Sequence, residues 1–92
     1  MIKLREVYKQ VSAGNPMKRY KIRDIFINPK HIRSIRDSGP VLQTISESVV
    51  DGIDNTRKEF CVLSMEKEDI VVVGSLKEIE NKVVGGKVLL NG

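Results

Sequence analysis

Phe60-Cys61-Val62-Leu63-Ser64-Met65-Glu66-Lys67-Glu68-Asp69-Ile70-Val71-Val72-Val73-Gly74-Ser75-Leu76-Lys77-Glu78-Ile79 is the stretch from which the fold is read. Residues 60–65 and 70–73 are β-rich runs, and the charged residues 66–69 between them supply a turn, so the pair predicts an antiparallel hairpin. The second run has no polar alternation, which marks a strand covered on both faces and central in its sheet. After Gly74, Ser75-Leu76-Lys77-Glu78 has the spacing of a capping box, a hydroxyl and a carboxylate placed to bond the free amides of a helix start. Leu76, Ile79 and Val83 then recur at helical spacing. They predict a helix near residues 75–84 with its apolar stripe on the sheet, stopped by Gly85-Gly86. Residues 87–92 fit a tail or an edge strand.

Toward the N-terminus, residues 2–11 alternate, with Ile2, Leu4 and Tyr8 on one parity and Lys3, Arg5 and Lys9 on the other. Residues 18–27 repeat the arrangement, with Tyr20, Ile22 and Phe26 against Arg19, Lys21 and Arg23. Ser12-Ala13-Gly14-Asn15-Pro16 is turn chemistry, so the two segments predict a second hairpin. Grouped by chemistry, its solvent face carries Lys3, Arg5, Lys9, Arg19, Lys21 and Arg23. Asn28-Pro29 ends the strand, Asn as a cap and Pro at a first helical position where no amide is needed. Ile32 and Ile35 suit a helical turn, and Ser34-Ile35-Arg36 equally opens a strand. Residues 41–50 fit a helix or a strand, and Asp51-Gly52-Ile53-Asp54-Asn55 a polar loop; residues 37–58 are the expected flexible or variable insertion. The expected fold is α+β: a small antiparallel sheet of four to five strands, in two hairpins, with the C-terminal helix packed on one face.

Ninety-two residues with 40% hydrophobic content build one core, so residues 1–92 form a single domain. A chain this short buries roughly 60–65% of its unfolded surface, which leaves little room for a deep enclosed substrate pocket. Cys61 has no second cysteine to pair with, and it lies in an apolar run, as expected in a reducing cytoplasm. The N-terminal residues alternate charged with apolar, unlike a signal peptide or membrane anchor, so a soluble protein with no membrane partner is expected. Charge is strongly segregated. Residues 1–36 hold ten Lys or Arg against Glu6 and Asp24, whereas residues 37–92 hold six against ten acidic residues. A field of one sign gathers partners of the other sign.

His31 is the only histidine, and no zinc spacing surrounds it, so a turn residue is expected and no metal. Asp51, Asp54 and Asn55 lack the alternating ligands and terminal glutamate of a calcium loop. No phosphate-cradling glycine loop, nucleophile elbow or acid–base pair stands out, so neither catalysis nor a cofactor is expected. The basic hairpin is the constellation that points to function. Its cations suit an acidic protein partner, with nucleic acid as the alternative through the same face. Because neither tyrosine falls on the basic parity as grouped above, the stacking platform of single-strand binders is absent from that grouping, which favours the protein partner. Exposed strand edges also make a homo-oligomer an expectation.

Three blocks carry a resemblance: Met1-Ile2-Lys3-Leu4-Arg5-Glu6-Val7-Tyr8, Ile22-Arg23-Asp24-Ile25-Phe26-Ile27-Asn28-Pro29-Lys30-His31-Ile32, and Val71-Val72-Val73-Gly74-Ser75 before a short helix. Together they resemble a group of small uncharacterised proteins of T4-like cyanophages and related marine phages, over about half of the chain. A fainter likeness is to small flagellar proteins of the FlbD type, which share an Asn-Pro turn and a last strand leading into a helix. The resemblance implies a phage protein acting in an infected host's cytoplasm. It brings no catalytic motif.

Overall fold

A computed structural model describes residues 1–10, 19–53 and 58–91 of the chain. The turn expected at residues 12–16, and Asp54 and Asn55 of the polar loop, lie outside the described residues. Among the described residues five strands form: β1 (Ile2–Gln10), β2 (Arg19–Ile27), β3 (Ile32–Arg36), β4 (Phe60–Met65) and β5 (Asp69–Val73). Two helices accompany them, α1 (Pro40–Ser46) and α2 (Leu76–Asn91). The sheet is antiparallel, in the order β2-β1-β5-β4-β3. The expected α+β architecture is present, and the apolar run at residues 70–73 lies in the central strand β5.

Strands β2 and β3 occupy the two opposite edges although only residues 28–31 join them. Three of those residues, Pro29–His31, form a 3₁₀ turn capped by the Asn28 side chain, whose Oδ1 accepts from the Lys30 amide at 3.0 Å. Such a turn advances about 2 Å per residue, far short of the roughly 19 Å across four flat inter-strand spacings. The sheet therefore curls until its edges approach each other at this end.

Each face of the curled sheet has its own core. On one, α2 lays Ile79 and Val83 over Leu4, Cys61, Leu63 and Val72, with Ile25 and Ile27 packed alongside. On the other, α1 lays Leu42 and Ile45 over Val7, Phe60 and Val62, with Tyr20 and Ile22 alongside. After α1 the chain returns to the outer edge of β2, where Val50, fully buried, forms a parallel bridge with Tyr20. Lys58 fastens the same segment: its Nζ donates to the carbonyls of Ser46, at 2.9 Å, and of Ser48. A cation at the last carbonyls of a helix satisfies groups that have no intrahelical partner.

Two expectations are corrected. The glycines at 85 and 86 do not stop the second helix, which continues to Asn91 and so replaces the tail or edge strand expected at residues 87–92. Glycine lowers helix stability by roughly 0.5–1 kcal/mol against alanine but does not forbid helical angles, so a pair alone is a weak stop signal. The described part of residues 37–58 is no loose insertion either, since Leu42, Ile45 and Val50 close one of the two cores. The ambiguous Ile32 and Ile35 belong to strand β3.

Candidate binding ribbon

Every residue of β1 faces one of β2, from Ile2 opposite Ile27 to Gln10 opposite Arg19. In an antiparallel pair, opposite residues share a face. Lys3, Arg5 and Lys9 therefore share theirs with Phe26, Asp24 and Tyr20, while Lys21 and Arg23 share the other with Tyr8 and Glu6. The six cations do not form one basic face. Lys3, Arg5 and Lys9 project on the side covered by α1 and Lys21 and Arg23 on the side covered by α2, so the single-face grouping is overturned. The sequence carried the signal: Ile25 and Ile27 have the parity of Arg19, Lys21 and Arg23, and that parity turns apolar at the end of the strand to enter the α2 core.

The cations also differ in what holds them. Arg23 Nε donates to Glu6 Oε1 at 2.7 Å, and its guanidinium lies 4.6 Å from the centre of the Tyr8 ring. The bond to Glu6, then the attraction of that carboxylate, raises the affinity of Arg23 for its proton. Lys3 lies 3.5 Å from Asp24, and Arg5 donates to the Gly52 carbonyl at 3.1 Å. Lys9 and Lys21 have no such tie among the described residues. Paired charges present less field to a ligand than free ones, so Lys9 and Lys21, one on each face of the same end of the hairpin, are the available pair.

That end of the hairpin is also free of its neighbour. Strand β1 pairs with β5 only at Glu6 opposite Val72 and Val7 opposite Val71, so from Tyr8 onward β1 and β2 form a ribbon without β5, bordered on its β2 edge by the Val50 bridge to Tyr20. Each face of this ribbon combines a tyrosine with a lysine: Tyr8 opposite Lys21 on one, Tyr20 opposite Lys9 on the other. The grouping that kept aromatics away from cations is reversed by the register.

His31 is exposed and Cys61 buried, and no cluster of three metal-type side chains occurs among the described residues. The Cys61 thiol points to the Gly74 carbonyl at 3.4 Å, and burial pushes its pKa up, so it packs as a small apolar group. Among the described residues no helix is long and apolar enough to cross a membrane. On the α2 side, an open groove of about 590 Å³ is lined by Ile25, Ile27, Met65 and Ile70 together with charged residues of both signs, Glu6, Glu66 and Glu68 beside Arg23 and Lys67. Comparison of the chain with protein-family models, with curated proteins and with solved structures finds no match.

Proposed function

We propose that this chain is a non-catalytic accessory or adaptor domain that contacts an acidic protein partner through the β1–β2 ribbon. The observation that supports it most is the placing of Lys9 and Lys21 on opposite faces of one ribbon end, without anions of their own among the described residues. A partner that reaches around that end meets a cation on both sides. Arg19 extends the strand toward the same end, while Lys3, Arg5 and Arg23 serve the fold first. The setting, on resemblance alone, is the cytoplasm of a phage-infected cell.

A second reading, a nucleic-acid binder, draws on the tyrosine beside a lysine on each face, since rings and nearby cations are what single strands use, although Tyr20 packs against the α1 core and Arg23 already lies over Tyr8. One titration separates the two. Labelled single-stranded RNA, duplex DNA and an aspartate-rich peptide are each titrated with wild type and with Lys9→Glu/Lys21→Glu, over a range of salt. Binding of the peptide alone, lost in the double variant, is the expected result. Nucleic-acid binding that falls with salt at a logarithmic slope of about −0.7 per contact on single strands, or about −0.9 on duplex, selects the second reading. Absence of binding to all three rejects both.

A further inference from the structure

The outer edge of β2 already accepts a strand at one point. The Tyr20 amide donates to the Val49 carbonyl at 3.4 Å, and the Tyr20 carbonyl accepts from the Asp51 amide at 3.0 Å, so the backbone groups of Tyr20 face away from β1. The β1–β2 register is unbroken, and in a regular strand these directions alternate. The amides and carbonyls of Ile22, Asp24 and Phe26 therefore face outward too. No partner for them occurs among the described residues, where the bridge to the Val49–Asp51 segment is confined to Tyr20. Natural edges of this kind are covered, broken or charged. This one carries Lys21 and Arg23 on one face and a Phe26 side chain that is 64% exposed on the other.

We infer that this edge is a strand-addition site for an extended acidic segment of another protein, which deepens the proposed function and rests on it for the partner's charge. The added segment continues the sheet beyond β2, its backbone bonding Ile22, Asp24 and Phe26. Its side chains alternate between faces. On the α2 side, a carboxylate at one end meets Lys21, and apolar side chains further along meet Ile25 and Ile27 beside the open groove. On the α1 side, Ile22 and Phe26 take apolar neighbours.

Charge complementarity selects this occupant over a second copy of the chain. Because only the even-numbered residues of β2 present hydrogen-bonding groups outward, antiparallel self-pairing is limited to alternate registers. Of the three that overlap most of the open stretch, one sets Asp24 against Asp24 and another Arg23 against Arg23, and like charges directly opposite are unfavourable. The third sets Asp24 against Phe26 and Arg23 against Ile27. None gives Lys21 an anion, and Arg23 is already held by Glu6.

The test uses the full chain, isotopically labelled, with three synthetic peptides. The first alternates aspartate with valine over one half and is valine throughout the other; the second has proline in place of the valines, keeping the carboxylates but unable to pair as a strand; the third has serine in place of the aspartates. The expected result is binding of the first at least tenfold tighter than the others, with hydrogen exchange slowed at the amides of Ile22, Asp24 and Phe26 and unchanged at Arg23 and Ile25. Phe26→Pro, which removes an outward amide without touching a bond to β1, abolishes that binding, whereas Phe26→Ala keeps most of it. Should Phe26→Pro fail to fold, the exchange pattern in wild type decides alone. Equal binding of the first two peptides without protection of the outward amides overturns strand addition and leaves the acidic partner standing. Equal protection by the first and third overturns the acidic specificity and leaves the edge as a strand acceptor. Protection of the same amides that rises with protein concentration, without any peptide, makes a second copy the occupant and overturns the inference.

Discussion

Gly74→Ala tests the joint between the sheet and α2, on which one of the two cores depends. Gly74 follows β5 with φ at +139°, a region that side-chain-bearing residues rarely enter. A Cβ added there would lie 3.0 Å from Ile79 Cδ1 and 3.3 Å from Ile79 Cγ1. The peptide cannot swing away freely, because the Gly74 amide donates to the Glu59 carbonyl at 2.8 Å and the Cys61 thiol meets the Gly74 carbonyl. Holding alanine at such a backbone angle costs about 1–3 kcal/mol. Crowding Ile79, which is 1% exposed, adds about 1–3 kcal/mol, so the expected loss is about 2–6 kcal/mol.

A domain of this size has a total stability of roughly 5–14 kcal/mol, so the change is large enough to read by urea unfolding followed by circular dichroism. A second substitution separates the two causes. Ile79→Val removes Cδ1 and by itself costs about 0.5–1.5 kcal/mol. In the double variant the crowding contribution is relieved while the backbone strain persists, so the combined loss falls short of the sum of the single losses by about 1 kcal/mol. Strict additivity would assign the whole effect to the backbone angle. A Gly74→Ala variant within about 0.5 kcal/mol of wild type would refute the reasoning altogether, because neither the angle nor the contact could then hold in solution.

The remaining predictions concern single side chains. Ser75 Oγ accepts from the Glu78 amide at 3.2 Å, so Ser75→Ala should cost about 1 kcal/mol, seen as a fall in melting temperature of roughly 4–8 °C. Lys58→Met should keep the apolar stem but leave the Ser46 and Ser48 carbonyls without their donor, lowering stability by about 1–2 kcal/mol and speeding amide exchange in α1; unchanged exchange would contradict the anchoring role. Burial raises the pKa of Cys61 in the folded state, so the unfolded thiol, ionising near about 8.5, loses its proton first. Its contribution is therefore complete below that pH and declines as pH rises above it. Stability should drop less between pH 8 and pH 10 in Cys61→Ala than in wild type, and parallel pH profiles would contradict the raised pKa.

What the sequence made legible follows from the range of the interactions involved. The 60–65 and 70–73 strands, the Asn28 cap and the Ser75 cap rest on neighbours within a few residues, and each is present in the structure. Residues 40–46 fit helix or strand from sequence because seven residues carry little periodicity, and the place of α1 is set by distant contacts with Val7 and Phe60. The continuation of α2 through two glycines likewise escaped a local rule.

The register of the first hairpin is the least local feature and the one on which function turns. Whether two alternating strands put their cations on one face or on two is decided by a single residue of offset, since the side-chain period is two. Chemistry alone suggests matching basic parity with basic parity. What fixes the observed offset is burial: Leu4 lies opposite Ile25 and Val7 opposite Ile22, so each face of the hairpin is apolar at a different end and a different helix covers each. Matching basic with basic would have placed the parity of Leu4 against that of Ile22 and left Ile25 and Ile27 outside the α2 core. The same offset brings each tyrosine beside a lysine, turns one broad basic face into a two-sided ribbon, and leaves half of the expected cations bound to the fold. On the proposed reading a partner would therefore be selected by an edge and a ribbon end, where main-chain groups and two free lysines act together, and surface charge alone would not describe it.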